Sequence, residues 1–508
     1  MKIKRRRGFL GKKILIILLV FLQTWFVGYW IFSNSAVSSL TRTAAELLSL
    51  VVAFYIIRSR KKPAYKISLV AIVLLFPLFG GAFYIIYKSN ILWRGMHKRL
   101  TVIYGESREH RNINKVSAEK LAEELPEFKS QIRYMDGFLG LPFYKNTEIK
   151  YFTSGREMFD ALCKELRLAK RYIFLEFFIV KEGKMWSDIE EILVEKAREG
   201  VDVRLIYDDM GSIQGFSEGK IDELIGNGIN VSVFNPLNPF TSSEQNNRDH
   251  RKIVSVDGRV AFTGGVNISD EYIGEIERFG HWKDTGVMLK GDGAWGFTVT
   301  FLEMWSLCLK TKENYEEYRC EDASVDSEGY VAPYADSPVD GERVGEQVYL
   351  GIINGAREYV YITTPYLIVD DDILSSLCLA AKSGVDVRII TPHRYDKFLV
   401  HFTTRSYYKM LIDEGVRIYE YTPGFIHAKT VASDDDRAVV GTINFDFRSL
   451  YLHFECAALI YKNKAVTDIK EDFLKTLEKS REITAEDCKR SIFVEIMQAI
   501  CRLFAPLM

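Results

Sequence analysis

The chain has 508 residues, too many for one ordinary hydrophobic core and enough for two domains of typical size plus a further segment. Its 67 Lys and Arg residues balance 68 Asp and Glu residues, and this net charge of −1 gives no indication of bulk binding to nucleic acid. The seven cysteines are scattered and form no CxxC pair, which indicates neither a disulfide framework nor a zinc site.

Three apolar segments at the N-terminus predict a membrane anchor over residues 1–93. Residues 1–13 carry seven Lys or Arg and lead into an uncharged run at 14–32 that is long enough to cross a bilayer. A cleaved signal peptide is the alternative, but its apolar region is normally shorter. A second run at 36–57 contains two charged residues that are costly at mid-bilayer, so it either spans or re-enters. A third at 67–87 is again long and uncharged, and its Pro77 is tolerated if neighbouring helices cover the backbone.

Basic residues flank all three segments and limit the topology. The positive-inside rule places every basic cluster on the cytoplasmic side, which three full spans cannot satisfy. Two spans with a re-entrant stretch satisfy it. The sequence therefore predicts a multi-pass anchor and leaves open the side of the membrane that bears the remaining chain.

The rest of the chain predicts an α/β fold behind a helical connector at 94–137. From residue 138 apolar strands such as YIFLEFFIV and VDVRLIYDD alternate with amphipathic helices such as SGREMFDALCKELRLAKR. The segments recur in the same order after a charged, Gly/Pro-rich boundary at 310–345, with SGVDVRIITP parallel to EGVDVRLIYD. A repeat of about 170 residues predicts two whole domains, at 138–315 and 330–508.

The C-terminal segment predicts an amphipathic helix whose apolar residues share one face. We expect it to pack against the second domain, and an interfacial membrane helix is the alternative. Its apolar residues are Ile492, Phe493, Ile496, Met497, Ile500, Leu503, Phe504 and Leu507.

Each half contains one copy of the same motif, in HRKIVSVDGRVAFTGGVN and in HAKTVASDDDRAVVGTIN. Both copies have the same spacing of His, Lys, Asp, Gly and Asn, which chance does not explain. The first copy supplies His250, Lys252, Asp257, Gly264 and Asn267, and the second supplies His427, Lys429, Asp434, Gly441 and Asn444. In a strand, residues two apart point to the same face, so each His and Lys are expected to project together.

Two His, two Lys and two Asn in one cleft suit phosphoryl transfer. The lysines and asparagines supply charge and amide donors around a phosphoryl group. One neutral histidine can attack phosphorus, while the other, protonated, gives its proton to the departing alkoxide. This chemistry requires no metal and no cofactor. Asp284 and Glu455, downstream of the two motifs, are the candidates for orienting the histidines.

The aspartates and glycines of the motif have simpler interpretations. Asp257 and Asp434 lie in turns after the strand and are expected to hold the loop rather than touch substrate. Gly264 and Gly441, with Gly265, are expected to allow close approach of the backbone to phosphate.

The two motifs resemble the paired HxK(x)4D signatures of the phospholipase D superfamily. Further segments, among them GVDVRLIYDDMGS, NNRDHRKI, HWKDTGV, GFIHAKT and GTINFDFRS, resemble bacterial cardiolipin synthases from about residue 67 to the end. The region before residue 67 departs from the family, which commonly has two spans. Gly265 also stands where the superfamily usually has Ser or Thr, whereas Thr442 keeps the hydroxyl.

The resemblance implies two pseudo-symmetric phospholipase D-like α/β sandwich domains behind the anchor, in a bacterial cell membrane. It implies transfer of a phosphatidyl group between two phosphatidylglycerol molecules, with release of glycerol. It places the His, Lys and Asp of both motifs in the catalytic set and favours His250 as nucleophile and His427 as acid. A membrane-bound phospholipase D or phosphodiesterase that uses water is the alternative, and a non-catalytic lipid-binding scaffold is disfavoured because both motifs are complete. The expected partners are phosphatidylglycerol and the bilayer, without nucleic acid.

Overall fold

The computed structural model describes residues 21, 24–26, 28–30, 32–33, 35–60, 62–77, 80–81, 84, 91–213, 215–236 and 246–507. The chain divides into two compact units. One contains residues 1–95, 236–247 and 492–508, and the other contains 96–235 and 248–491. Both copies of the repeated motif therefore lie in the second unit.

Nineteen strands are present in the described part of the chain, and they form two large sheets and two short pairs. Their bounds are β1 Thr147–Phe152, β2 Tyr172–Phe177, β3 Asp202–Asp208, β4 Asn230–Phe234, β5 Lys252–Val256, β6 Val260–Gly264, β7 His281–Lys283, β8 Gly286–Gly291, β9 Tyr330–Asp336, β10 Tyr359–Thr363, β11 Leu367–Ile368, β12 Asp386–Pro392, β13 Arg417–Tyr421, β14 Gly424–Ile426, β15 Thr430–Ser433, β16 Arg437–Gly441, β17 Phe445–Asp446, β18 Glu455–Tyr461 and β19 Ser480–Ile483.

The described helices surround these strands or belong to the first unit. Their bounds are α1 Ala36–Arg58, α2 Pro63–Leu75, α3 Ile91–Arg111, α4 Ala118–Glu124, α5 Lys129–Ile132, α6 Gly155–Leu168, α7 Lys184–Arg198, α8 Glu218–Gly226, α9 Ala294–Leu309, α10 Tyr315–Tyr318, α11 Val344–Gly355, α12 Asp371–Lys382, α13 Phe398–Ile412, α14 Phe447–Tyr451, α15 Lys464–Leu477 and α16 Ile492–Phe504.

The large sheets are mixed and have corresponding strand orders. The first runs β1-β8-β6-β5-β2-β3-β4, and the second runs β9-β18-β16-β15-β10-β12-β13-β19. In each sheet the strand that follows the motif histidine, β5 or β15, pairs antiparallel with its neighbours, whereas β2–β3–β4 and β10–β12–β13 pair in parallel.

One hydrophobic core joins the two sheets, and a second lies between the first sheet and its helices. Along β5, Ile253 belongs to the core shared with β15, β16 and β18, and the next residue, Val254, belongs to the core covered by α6 and α7. This alternation follows from the two-residue period of a strand. Because the sheets share one core, the two motifs are held by a single packed interior.

The alternation of elements predicted from the sequence is confirmed. Ser154 caps α6, where its hydroxyl accepts a hydrogen bond from the backbone N–H of Glu157, as a helix N-cap does. The segment YIFLEFFIV forms β2, which is buried along its whole length, as its apolar sequence predicts. Gly200 follows α7 with a φ of 89°, the left-handed conformation in which glycine ends helices.

The membrane segments depart from prediction. Much of the segment at 14–32 lies outside the described residues. The ambiguous segment at 36–57 forms α1, the one described helix long and apolar enough to cross a membrane. Its charged residues pair with each other, because Arg42 Nε lies 2.9 Å from Glu46 Oε1 one helical turn away. In the described part of the segment at 67–87, α2 ends at Leu75, because Pro77 disfavours helical geometry in the residue before it, Phe76.

We expected the C-terminal helix to pack against the second domain. It belongs instead to the other compact unit. It falls in the same compact unit as the N-terminal helices and packs on α2. The hydroxyl of Ser68 in α2 donates to the carbonyl of Leu503 at 2.5 Å, and Cys501 is buried. Apart from Lys66, α2 consists of apolar and small uncharged residues, which suits packing against an apolar helix.

Candidate active site

The two motif histidines lie just before the N-terminal ends of central strands, β5 and β15, and face one common site. His250 and His427 are 7% and 8% exposed. Both precede their strands rather than lie in them, contrary to prediction, because β5 begins at Lys252 and β15 at Thr430. Each backbone instead bonds to the opposite half: His250 N–H donates to the Phe454 carbonyl at 2.9 Å, and His427 N–H to the Lys283 carbonyl at 2.7 Å.

Each histidine is oriented by a carboxylate that comes from the other half of the chain. Nδ1 of His250 lies 2.9 Å from both carboxylate oxygens of Glu455. Nδ1 of His427 lies 2.7 Å from Oδ2 of Asp284. The structure thus places both predicted carboxylates on histidines. Since Nδ1 is engaged, Nε2 is the atom of each ring that remains for a substrate.

The two lysines lie beside their histidines and hold the backbone there. Lys252 Nζ donates to the His250 carbonyl at 2.6 Å, and Lys429 Nζ donates to the His427 carbonyl. Burial, partly offset by Glu455, lowers the pKa of Lys252 to about 8, and burial lowers the pKa of Lys429 to about 7. Burial therefore opposes the positive charge that the sequence predicts on both lysines, and an anionic substrate would favour that charge.

In the ligand-free site both histidines are neutral, whereas the sequence-based mechanism requires one of them to be protonated. Burial, assisted by Lys252 and His453, holds the pKa of His250 well below 6.5. Burial and Lys429 lower the pKa of His427 to about 4, against the opposing effect of Asp284. A bound phosphodiester adds negative charge, which raises both pKa values and allows one histidine to take up the required proton.

The two orienting carboxylates differ in their own ionisation. Burial opposes the ionisation of Asp284, yet His427 and Lys429 hold the pKa of its carboxyl below the ordinary value. Burial raises the pKa of Glu455 well above the ordinary value, although Lys252 and a hydrogen bond from Thr442 oppose this shift. An ionised carboxylate therefore accompanies His427, and a carboxyl that resists ionisation accompanies His250.

The motif aspartates hold the loop. Asp257 accepts three backbone N–H bonds, from Lys170, Arg171 and Tyr172, each at 2.8 Å. Asp434 repeats the pattern with residues 357–359 at 2.9–3.1 Å. Both aspartates have positive φ, 53° and 54°, a conformation that Asp tolerates in turns. This arrangement agrees with the loop-holding interpretation and not with a catalytic role.

The two motif asparagines are not equivalent. Asn267 is engaged within the first half: Oδ1 accepts from Ile179 N–H at 3.0 Å and Nδ2 donates to the Tyr272 hydroxyl at 2.8 Å. This contact engages one of the two N–H groups of the Asn267 amide. Among the described residues, the buried Oδ1 of Asn444 has no hydrogen-bond partner. Both asparagines therefore stay candidates for a substrate contact.

The motif glycines allow strands to approach each other rather than a phosphate. A Cβ on Gly264 would lie 2.5 Å from the Gly286 Cα in β8, and one on Gly441 would lie 2.3 Å from the Ala457 Cβ in β18. A Cβ on Gly265 would lie 2.0 Å from Oδ1 of Asp284. The missing hydroxyl at Gly265 therefore reflects the space that Asp284 occupies. Thr442, in the matching position, donates its hydroxyl to Glu455.

The site is lined by aromatic rings and by a third histidine. The sequence analysis predicted none of these residues. Tyr272, Trp282 and Phe425 place their ring centroids 5.5–6.1 Å from that of His427. Phe178 and His453 lie 5.0 and 5.6 Å from His250. His453 and Trp282 each stand two residues before their orienting carboxylate, a signal in HWKD and LHFE that was available in the sequence.

Known proteins and a family model resemble this chain over much of its length. A family model described as "Cardiolipin synthase, PLD-like domain" matches residues 162–278 and 349–477. A cardiolipin synthase of Halalkalibacterium halodurans is 32% identical over 502 residues, which cover 96% of this chain and 95% of that protein. Cardiolipin synthase 2 of Bacillus cereus is 34% identical over 451 residues, 88% of each. An uncharacterized protein of Streptococcus mutans is 42% identical over 456 residues, 89% of this chain and 99% of that protein.

Among solved structures, a phosphatidylserine synthase of Haemophilus influenzae superposes with a TM-score of 0.56 at 14% identity, covering 71% of this chain and 95% of that chain. At this identity the likeness concerns the fold. Sequence relatives that match along nearly the whole chain, together with two histidines that converge on one site, place the chain in the cardiolipin synthase family of phospholipase D-like proteins.

Proposed function

We propose that the protein is a cardiolipin synthase that moves a phosphatidyl group from one phosphatidylglycerol to another and releases glycerol. The observation that carries this proposal is the pair of buried histidines, each with Nδ1 on a carboxylate and with Nε2 remaining for phosphorus. The family relationship supports the lipid substrate, because two relatives that match 88% and 96% of the chain are cardiolipin synthases.

The reaction has two steps that balance. In the first, Nε2 of His250 forms a bond to phosphorus as the phosphorus–oxygen bond to glycerol breaks, and His427 gives the glycerol oxygen its proton. In the second, the hydroxyl of another phosphatidylglycerol gives its proton to His427 and attacks phosphorus, and the bond to His250 breaks. Lys252 and Lys429 stabilise the negative charge on the phosphoryl oxygens in both steps.

The unequal carboxylates support this division of roles. Asp284, whose pKa is held low, offers a negative charge that stabilises His427 in its protonated, acidic form. Glu455, whose pKa is raised by burial, stabilises a positive charge on His250 less well than Asp284 does on His427, so His250 is less suited to be the acid. The assignment from the family pattern and the assignment from local charge therefore agree.

The protein acts at a bacterial cell membrane, to which the first unit attaches it in a multi-pass arrangement. The helix α1 is long and apolar enough to span, and exposed apolar side chains continue along it, including Leu50, Val51 and Phe54. The predicted span at 14–32 supplies a second crossing. Such an anchor confines enzyme and lipid substrate to the same surface.

The helix α16 lies in the interface of the bilayer. Five of its apolar side chains are exposed within one helical arc: Ile492, Phe493, Ile496, Met497 and Ile500 are 73%, 69%, 52%, 38% and 42% exposed. The opposite side, with the buried Cys501, packs on α2 in the same unit as α1. A helix that is apolar on the side away from its protein neighbour suits an acyl-chain environment.

The domain organisation inferred from the sequence fits the same function. We take residues 1–93 as the anchor, 94–137 as the connector and 138–315 as the first phospholipase D-like domain. The second domain begins near residue 330, and its C-terminal limit moves to about residue 491 because α16 belongs to the unit of the anchor helices. The matching strand orders support a pseudo-symmetric repeat.

Purified protein in detergent tests the proposal with phosphatidylglycerol as the sole lipid and with a chelator present. We expect cardiolipin and free glycerol in equal amounts. Phosphatidic acid as the main product would instead establish a phospholipase D that uses water, the second candidate. A His250→Ala, His427→Ala double variant serves as the control for lipid carried through purification.

A further inference from the structure

The site contains three side chains that can bind a transition metal. His250, His453 and Glu455 are all buried, and each offers one ligand atom. These three atoms lie within 4.8 Å of one another. Two imidazole nitrogens and one carboxylate oxygen form a ligand set that Zn²⁺ uses in proteins.

His453 provides an independent sign of a ligand. It is 8% exposed, and neither Nδ1 nor Nε2 has a hydrogen-bond partner among the described residues. An imidazole buried without partners is unfavourable, and such groups in native proteins usually have an explanation. The other half has Trp282 in the matching position, whose ring lies on His427 as the ring of His453 lies on His250. Packing alone is thus satisfied by an aromatic residue without a ligand atom.

We propose that His250, His453 and Glu455 form an inhibitory binding site for Zn²⁺. An ion held there takes Nδ1 of His250 and an oxygen of Glu455, and so replaces the hydrogen bond that orients the nucleophile. The cation also withdraws electron density from the ring, which makes Nε2 less able to attack phosphorus. This inference rests on the proposed role of His250 as nucleophile. The enzyme would work without metal and stop when free zinc rises.

Metal binding is measured first, without lipid, on the full chain in detergent after chelator treatment. We expect one equivalent of Co²⁺ to give the visible absorption of a four-coordinate site and to be displaced by Zn²⁺. His453→Asn should weaken binding at least about tenfold, the lower end of the loss seen when residues that support a metal are changed. His110→Asn is the matched control, since His110 binds Glu316 away from the site. Affinity should rise with pH, because the ligands lose protons on binding.

Inhibition is measured next as cardiolipin formation against free Zn²⁺, relative to each variant without metal. We expect the concentration for half inhibition to match the dissociation constant in the native chain and to rise in parallel in His453→Asn. Equal zinc affinity in native protein and His453→Asn, or binding at this site without inhibition, overturns the proposal. If the metal-free native enzyme makes no cardiolipin while the Co²⁺ site is present, the proposed function fails and the metal site stands.

Discussion

At the scale of single residues, the carboxylate on His427 governs the pH at which the acid works. Asp284 raises the pKa of His427 against burial and Lys429. Because the proposed mechanism requires protonated His427 and neutral His250, the pH profile of kcat should be bell-shaped, with apparent values that belong to the pair. Asp284→Asn removes the charge that favours the imidazolium. We expect its basic limb to move to lower pH by roughly one to three units, the usual effect of one nearby charge.

The measurement is kcat for phosphatidylglycerol in detergent between pH 5 and 9, under conditions in which chemistry limits the rate. Asp257→Asn is the control, since that carboxylate binds backbone N–H groups of a distant turn. A limb that stays in place or moves to higher pH in Asp284→Asn would contradict the acid role of His427.

A change of leaving group should also distinguish the roles of the two histidines. Glycerol alkoxide needs a proton, so His427→Ala should lose roughly 10²- to 10⁴-fold with phosphatidylglycerol. A nitrophenolate leaving group needs none. We expect His427→Ala to keep a first-turnover burst of nitrophenol and to accumulate a phosphohistidine, whereas His250→Ala gives neither. The opposite pattern would reverse the roles, and a normal burst from both variants would exclude a histidine nucleophile.

The motif identified the residues of the site but could not give their partners. Two copies with equal spacing indicated His250 and His427, and a downstream carboxylate indicated Asp284 and Glu455. Which carboxylate meets which histidine depends on contacts between the halves, about which spacing within a half carries no information. The sequence did not indicate His453, because this histidine occurs in one half only. The matching residue in the other half is Trp282.

At the scale of the elements, the turn after each catalytic strand depends on one aspartate. Asp257→Asn replaces a carboxylate that accepts three backbone N–H bonds, and each hydrogen bond to a charged group contributes about 1.5–3 kcal/mol. We expect a lower melting temperature and an unchanged nitrophenol burst per folded molecule. Asp434→Asn should behave alike. Loss of the nitrophenol burst at an unchanged melting temperature would show instead that the aspartates take part in catalysis.

The helix α16 gives a second prediction at this scale. In bilayer discs, a photoreactive amino acid at Ile496 should cross-link to lipid, because that side chain is exposed on the apolar arc. The same group at Val494, which is half-buried, should cross-link to protein. Cross-linking to protein from position 496 would show that another protein segment covers this face.

The sequence predicted the helices and strands of the unit that contains both motifs better than it predicted those of the anchor. Ser154 predicts a helix start, Gly200 a helix end and the apolar run of β2 a buried strand. These local signals agree with the tertiary structure. In the anchor, hydropathy alone ranked the segment at 36–57 as the weakest, since it counts Arg42 and Glu46 as isolated charges. The ion pair between them and the break before Pro77 are geometric features that an average over a window removes.

At the scale of the whole molecule, one chain should contain one complete site. Both motifs and both carboxylates lie in a single compact unit, and the sheets share a core. A mixture of His250→Ala and His427→Ala chains should therefore remain as inactive as either variant alone. The measurement is cardiolipin formation after the two proteins are combined in detergent and returned to vesicles. Recovered activity would mean that halves are exchanged between chains.

Each half supplies the carboxylate that orients the histidine of the other half, and this has a consequence for the evolution of the chain. A chain with a single copy of the motif would hold a histidine whose orienting acid belongs to another copy, so it could act only as a pair. If the two halves arose by duplication and fusion, neither half could then diverge alone. We expect position 250 to vary together with 455 and position 427 with 284, since each pair is joined by a hydrogen bond between the halves.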